Sequence, residues 1–342
     1  MPEKMTVAVT GSSGFVGSHV VRVLLEAGHR VRATVRDAQN HDKTAHLRVL
    51  PGAELLSFHS ADLRHEGSFD DAVSGCDWLC HTATPVSFNP KDPRRDVIDP
   101  AVEGTLNVLR SAERSGTVRR VVLTSSVAAV VGWEGPKTGS YTEADWNQTS
   151  DERSAYPLAK TLSERAAWDF VDGRPIELVS LLPPYIFGPV MARAHSRTSI
   201  GFVHGVVTGK IPLIPRLNLP WVDVDAVAQA HLRALERSDA SGRYILVAGN
   251  TWFHDLAIVI RTHFPELRSA TRRAPDWLMY LMSPLNKDLS LYYLRQCLGR
   301  EIRFDGSRAE RELGIRSKNF EQTIVETVES ILAQQGTSTP HS

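Results

Sequence analysis

An excess of either sign of charge is absent from this sequence: 39 Lys and Arg stand against 39 Asp and Glu, so the formal net charge is zero. A balanced chain carries no electrostatic footprint for nucleic acid or an anionic membrane, and neither is expected as a partner. Cysteine is scarce. Cys76, Cys80 and Cys297 are odd in number and match no metal-ligand or redox spacing, so a reducing, cytoplasmic setting is expected. No apolar run approaches the ~18 residues of a bilayer span. The run that opens at Met5 ends at Gly11, far short of a signal peptide's apolar core. Internal repeats and low-complexity blocks are missing too. With 42% hydrophobic and 23% charged residues, the composition excludes disordered and fibrous classes. The 342 residues give room for two lobes.

What is present is an alternation. Met5 to Thr10, Arg30 to Val35, Trp78 to His81, Arg120 to Thr124 and Glu177 to Leu182 read as buried strands. Between them Phe15 to Ala27, Val97 to Arg114 and Ser154 to Val171 read as amphipathic helices. This order predicts an α/β fold with a doubly wound parallel sheet covered on both faces. After Leu182 the rhythm breaks at Pro183, Pro184, Pro189, Pro212, Pro215 and Pro220. A nucleotide-binding domain over 1–182 and a smaller C-terminal substrate lobe over 183–342 are expected. Trp221 to Val224 and Tyr244 to Val247 read as further strands with a helix at Ala226 to Glu236 between them, and some elements of about 221–250 should return to the first domain. Helical patterns follow at Ile200 to Thr208, Trp252 to Thr262, Leu289 to Leu298 and Phe320 to Ala333, and a frayed tail is expected from Gln334. Ligands of open α/β sheets lie at the carboxyl ends of the strands, so the crevice is expected between the lobes.

Directly after the first strand comes Thr10-Gly11-Ser12-Ser13-Gly14-Phe15-Val16-Gly17. Glycines here permit a tight turn, let backbone amides approach a pyrophosphate and open a helix whose positive end faces that anion. The spacing is G-x-x-G-x-x-G, and a bland glycine turn is the alternative. The position between strand and helix favours dinucleotide binding. The second strand ends Thr34-Val35-Arg36-Asp37, where NAD-preferring enzymes usually carry a carboxylate. Arg36 can instead fork onto a 2′-phosphate, with Lys43 adding charge, so NADP(H) is the expected cofactor. The alternative is a solvated arginine neutralised by Asp37.

The strand Arg120 to Thr124 runs into Ser125-Ser126, and thirty residues on comes Tyr156-Pro157-Leu158-Ala159-Lys160. Pro157 is tolerable only in a helix's first turn, which sets Tyr156 at the amino end. A spacing of four puts tyrosine and lysine on one face. A free phenol titrates near 10, and the nearby ammonium is expected to lower that value toward the range useful for proton transfer. Chance would produce a Y-x-x-x-K in about one such chain in six, so context decides. His81, His204 and His231 lack the spacing of a metal site; each reads as structural, and no metal is expected.

The segments VTGSSGFVGSHVV, RATVRD, SADLRHEGSFDDAVSGCD, HTATPV, VEGTLNVLRSA, VRRVVLTSS, YPLAKTLSERAAW and FDGSRAERELG together resemble the extended short-chain dehydrogenase/reductases. The match is to the dihydroflavonol-reductase-like branch with its microbial carbonyl reductases, from Thr6 to about Ile331. The resemblance implies a Rossmann-type domain and an NADPH-dependent carbonyl reductase converting ketone or aldehyde to alcohol, reversibly. It implies that Ser126, Tyr156 and Lys160 are catalytic, with Ser125 a rival for the serine. It implies that Gly11, Ser13, Gly14, Phe15, Val16, Gly17, Arg36, Lys43, Asp62 and Leu63 hold the adenosine and pyrophosphate. Thr82, Ala83, Thr84, Tyr156, Lys160, Pro183 and Ile186 would lie along the rest. Candidates for the substrate wall are Val86, Phe88, Val131, Trp133, Tyr185, Phe202 and Trp221, with core packing the alternative for each. Two departures bear on substrate. Val131 replaces the asparagine that reads flavonoid hydroxyls in plant dihydroflavonol reductases. Glu152-Arg153-Ser154-Ala155 lacks the aromatic-rich approach to the cinnamoyl-CoA reductase tyrosine. Simple or bulky apolar ketones and aldehydes are therefore expected first. A hydroxysteroid or other alcohol dehydrogenase stays open, as do the plant activities, a sugar-nucleotide epimerase and a non-catalytic NADP sensor. A monomer or homodimer acting on a small-molecule carbonyl or alcohol is expected.

Overall fold

The computed structural model describes residues 4–85, 90–133, 139–195, 199–267, 269–283 and 291–336. Its strands are β1 (Thr6–Thr10), β2 (Arg30–Val35), β3 (Leu56–Ser60), β4 (Trp78–His81), β5 (Arg120–Thr124), β6 (Glu177–Leu182), β7 (Tyr185–Phe187), β8 (Asn218–Asp223), β9 (Gly242–Ile245) and β10 (Gly249–Trp252). Helices α1 (Phe15–Glu26), α2 (His41–Arg48), α3 (Asp70–Val73), α4 (Asp99–Ser115) and α5 (Ala155–Val171) fill the first half. The second half carries α6 (Ile200–Val207), α7 (Val224–Glu236), α8 (Phe253–His263), α9 (Asp276–Met282), α10 (Leu291–Cys297), α11 (Ser307–Leu313) and α12 (Phe320–Gly336).

Seven strands form one parallel sheet in the order β3-β2-β1-β4-β5-β6-β9. Its inner strands are buried on both sides because each alternates between two apolar layers, whereas edge strand β3 has no buried residue. Val7 and Val9 of β1 face the core shared with α1 and α7, whereas Ala8 faces the core that includes Val108, Leu109 and Ala167 of α4 and α5. The strand order reverses between β1 and β4, so their carboxyl ends, Thr10 and His81, open a crevice at the switch point. Helix α5 begins after a capping box between Asp151 and Ser154, and Pro157 sits in its first turn, where its missing N–H disturbs no helical bond.

A second sheet of three strands, β10-β8-β7, anchors the smaller lobe. Of the 221–250 stretch, β9 joins the large sheet and α7 packs against it, whereas β8 does not return. β8 pairs in parallel with β7 and antiparallel with β10, two short strands that the proline-punctuated sequence concealed. The edge of β6 is already taken by β9, which leaves β8 to the lobe. The helix expected to fray at Gln334 continues to Gly336. Ile324, Val328 and Ile331 are buried in the lobe core, and Arg193 Nε donates to the Gln334 carbonyl at 2.7 Å. Among the described residues no helix is long and apolar enough to cross a membrane.

Candidate active site

The glycine loop is held by contacts that admit no side chain. Gly11 has φ +66°, and a Cβ there would lie 2.9 Å from the Ala83 backbone at the exit of β4. A Cβ on Gly17 would lie 2.2 Å from the Gly11 carbonyl oxygen. The first helical turn of α1 therefore packs directly on the loop, and the loop directly on β4. Thr10 Oγ1 joins these pieces: it accepts from the Ala83 amide at 3.2 Å and pairs with His81 Nδ1 at 2.7 Å, while Thr82 Oγ1 donates to the Thr10 carbonyl at 2.7 Å. The cradle of backbone amides at the start of a helix fits a pyrophosphate.

A contact that sequence reading missed braces this loop from the other lobe. His195 Nε2 donates to the Ser13 carbonyl at 3.1 Å, its Nδ1 accepts from the Met191 amide at 3.3 Å, and Phe15 and His46 pack on its ring. Burial pushes His195 down to about 4, so the ring is neutral and serves as a hydrogen-bonded prop. No motif signalled it, because its partner is a main-chain carbonyl 182 residues away.

At the tip of β2, Arg36 and Lys43 are both exposed. Among the described residues neither side chain enters a salt bridge or hydrogen bond. Asp37 is turned to the Gln39 amide at 3.0 Å rather than to Arg36. The two cations therefore remain available to an anion. Asp62 is already engaged, with Arg64 Nη2 at 2.8 Å and Nε at 3.1 Å, and that guanidinium holds its carboxyl well below the usual range. Leu63 packs under α4, where a Cβ on Gly104 would come within 2.9 Å of it. Thr84 is half-buried beyond Ala83.

Ser126, Tyr156 and Lys160 come together at the carboxyl end of β5. The Ser126 hydroxyl hydrogen-bonds the Tyr156 phenol. It also approaches the Pro183 carbonyl at 3.4 Å and accepts from the Ala128 amide at 3.2 Å. Lys160 lies one turn behind Tyr156, is 6% exposed, and donates from Nζ to the Thr124 carbonyl at 3.1 Å. The two serines part company. Ser125 Oγ turns away and donates to Glu164 at 2.6 Å. One expectation is corrected: burial pushes the Tyr156 phenol above its ordinary value, which the Ser126 bond only partly offsets. The ammonium that was expected to depress it is directed at Thr124. Lys160 is itself lowered by burial to about 8.

The crevice wall beside Tyr156 is aromatic. Tyr185 lies close enough to Tyr156 to feel its charge, its hydroxyl is 3.4 Å from that of Tyr293, and its ring meets Phe202 edge-on at 5.5 Å. Trp133 packs against Tyr293 at 5.0 Å and Tyr292 at 6.2 Å. Tyr292 and Tyr293 on α10 were missed; the adjacent tyrosines in LYYLRQC were the available signal. Val131 is half-buried, its amide bonded to Val127, and the Ile186 amide donates to Ser199. Val86 and Phe88 lie outside the described residues. Trp221 departs from expectation. It is 5% exposed, packs on Phe320 at 5.1 Å, and its indole lies under Gly249. It borders a separate cleft of about 1000 Å³ between β8, β10 and residues 301–319, which contains none of Ser126, Tyr156 or Lys160. The three histidines doubted as metal ligands have other partners or places. His81 bonds Thr10, His231 bridges Thr124 and the Val227 carbonyl, and His204 lies within α6.

The model of the NAD dependent epimerase/dehydratase family matches residues 7–249, and the chain belongs to that family. A cinnamoyl-CoA reductase of Medicago truncatula is 36% identical over 333 residues, 95% of either chain. A dihydroflavonol 4-reductase of Zea mays is 40% identical over 272 residues, 77% of this chain and 76% of the maize protein. Among solved structures, Gre2 of Candida albicans in complex with NADPH aligns with a TM-score of 0.80 at 29% identity, covering 96% of this chain and 99% of that one. The protein is accordingly an NAD(P)-dependent oxidoreductase of the extended short-chain type, on the branch that holds these reductases.

Proposed function

We propose that the chain is an NADP(H)-dependent carbonyl reductase that converts a ketone or aldehyde to the alcohol, with Tyr156 as the general acid. The observation that carries this reading is the Ser126–Tyr156 hydroxyl pair with Lys160 one helical turn behind, at the carboxyl end of β5. NADP(H) is supported by the NADPH complex of the similar Gre2 structure and by the exposed Arg36 and Lys43 at the β2 tip. The amides of Gly11, Ser13, Gly14, Phe15, Val16 and Gly17 would face the pyrophosphate and Arg36 and Lys43 the 2′-phosphate. Asp62 and Leu63 would flank the adenine, with Thr82, Ala83, Thr84, Pro183 and Ile186 along the nicotinamide half.

When bound, NADPH supplies the hydride. The protein supplies the rest. Ser126 and Tyr156 donate hydrogen bonds to the substrate oxygen and stabilise the negative charge that grows there. Tyr156 stays protonated at neutral pH because burial holds its proton, which suits a donor. The Lys160 ammonium stabilises the phenolate as that proton leaves, and alcohol oxidation runs the same groups in reverse. Trp133, Tyr185, Phe202 and Tyr293 favour an apolar or aromatic carbonyl compound, and Val131 adds no hydrogen-bonding group. A reducing, cytoplasmic setting belongs to the same proposal, supported by three free cysteines of which Cys76 and Cys80 are buried.

The test is NADPH consumption with acetophenone, 2-butanone, hexanal, a dihydroflavonol and cinnamoyl-CoA. Tyr156→Phe is expected to keep NADPH affinity and to lose at least about a hundredfold in kcat on any compound the protein reduces. A near-normal rate in that variant removes the assignment.

A further inference from the structure

Directly behind the site lies a buried carboxylate that the mechanism above leaves unused. Glu164 is four residues beyond Lys160 on α5, hence on the same helix face, and is 0% exposed. A buried carboxylate persists only where it is paired and hydrogen-bonded. Here it accepts from Ser125 Oγ at 2.6 Å, from Arg243 Nε at 2.8 Å and Nη2 at 3.3 Å, and from Trp168 Nε1 at 3.4 Å. Arg243, on β9, is itself buried. It lies over the Trp146 ring at 3.8 Å and donates to the carbonyls of Glu143 and Asp145, each at 2.7 Å. Asn147, next to that tryptophan, ties the serine turn: its amide donates to the Ala129 carbonyl and its side chain to that of Ala128, both at 3.0 Å. The turn that carries Ser126 is thereby tied to α5 through Glu164 and to β9 through Arg243, with Asn147 holding its far side.

We propose that Glu164, held by Arg243, is a positioning residue of this active site: it fixes the serine turn through Ser125 and keeps the Lys160 side chain in its ammonium form from one turn away. The inference rests on the reading of Tyr156 and Lys160 as the proton-transfer pair. Charge around Lys160 is otherwise unhelpful to an ammonium. His81 on β4 is buried and held neutral, lowered to about 3 by burial and by Lys160; His231 on α7, bonded to Thr124, is lowered to about 4. Tyr156 on the same helix and Tyr185 on β7 stay protonated, both raised by burial. Arg165 lies over the Trp146 ring at 4.5 Å. Against burial, which lowers Lys160, Glu164 is the charge that raises it. Arg243 cancels part of that field, so removing the glutamate charge alone leaves an uncompensated guanidinium behind the lysine.

The full-length protein is assayed with NADPH and the fastest compound of the panel above, from neutral to alkaline pH. Glu164→Gln preserves shape and can still accept from Ser125, yet it should move the alkaline limb of kcat/KM to lower pH by about half a unit or more. Glu164→Asp, which keeps the charge, should leave the limb in place while lowering kcat. The double variant Glu164→Gln with Arg243→Met removes both charges, is less prone to unfold, and should return the limb at least halfway. A titration of the Lys160 ε-methylene by NMR with isotopically labelled lysine, assigned through Lys160→Arg and run without cofactor, should show the same displacements. Superimposable limbs and titrations in Glu164→Gln and wild type overturn the proposal, as does a double variant displaced as far as the single one. Tyr156→Phe in the same panel separates the failures: a normal rate there sinks the catalytic reading, whereas a dead Tyr156→Phe with an unmoved Glu164→Gln limb sinks this inference alone.

Discussion

Two adjacent serines follow β5, and their different partners make a quantitative prediction. Ser126 Oγ meets the Tyr156 phenol, so Ser126→Ala deletes one of two donors to the developing oxyanion. Loss of one such donor lowers kcat by about a hundred- to a thousandfold, and loss of the Ser126 cap on the Ala128 amide costs about 0.5–2 kcal/mol of stability. Ser125 Oγ instead serves a fully buried carboxylate at 2.6 Å. A hydrogen bond to a buried charge contributes about 1.5–3 kcal/mol. Ser125→Ala should therefore lower the melting temperature by several degrees and, by untying the serine turn from Glu164, lower kcat by about tenfold, well short of the loss in Ser126→Ala. Both variants are read side by side: NADPH absorbance decay with the best ketone for rate, and a thermal melt without cofactor for stability. If Ser125→Ala loses two decades of rate with an unchanged melt, and Ser126→Ala keeps its rate, the two serines have exchanged roles and the geometric reading is wrong.

Arg36→Ala should raise the KM for NADPH by about tenfold or more and leave that for NADH unchanged, an effect that weakens as salt rises because the group is exposed; equal changes for the two cofactors would refute 2′-phosphate recognition. Gly17→Ala forces a Cβ to 2.2 Å from the Gly11 carbonyl oxygen, so the loop must shift and NADPH affinity, read by fluorescence titration, should fall at least about tenfold; unaltered binding would dismiss the cradle. Lys160 is lowered in the folded protein to about 8 from 10.5, so between those values the unfolded chain binds more protons and stability rises with pH. The penalty of the buried ammonium is full below about 8 and fades toward 10.5. Melting temperatures of wild type should gain on those of Lys160→Met over that interval; parallel curves would show that the lysine is not held in a desolvated site. Reductive kcat/KM should decline over the same alkaline range as the ammonium is lost.

Most of the large sheet was legible because β1, β2, β4, β5 and β6 are short and apolar and lie between helices with a clear face, whereas edge strand β3, LSFHS, has no buried residue and gave no such run. Val7, Val9, Val122 and Val179 read as buried on sight, and they are. The glycine loop and the Tyr156–Lys160 spacing were legible for a related reason: both are local, set by one turn of chain. The lobe was less so. β7 spans only Tyr185–Phe187, between Pro183, Pro184 and Pro189, and its neighbour in the sheet arrives from Asn218 onward. Such short strands exist through pairing, and pairing between distant segments leaves no period to read. The same holds for the aromatic wall, where Tyr293 reaches Tyr185 across 108 residues.

Trp221 and Tyr293 show how far hydrophobicity alone misleads at a wall. Either is a large aromatic in the smaller lobe; one is sealed against Phe320 and the other faces the crevice beside Tyr185. Glu164 is the opposite case. Its spacing from Lys160 already put it on the catalytic face of α5, a face that includes buried Ala159, Lys160 and Ser163, and an acid on a buried face demands a partner. The demand was visible in YPLAKTLSERAAW, but the answer, Arg243, lies 79 residues on in a strand whose own residues read as core. A buried ion pair of this kind contributes little net stability compared with an apolar replacement. Its presence behind the lysine is therefore better explained by what it does to the charge and placement of Lys160 and Ser126 than by what it adds to the fold, and the paired charge removal in Glu164 and Arg243 distinguishes these: a stability role would appear in the melt and leave the pH limb of Glu164→Gln where it was.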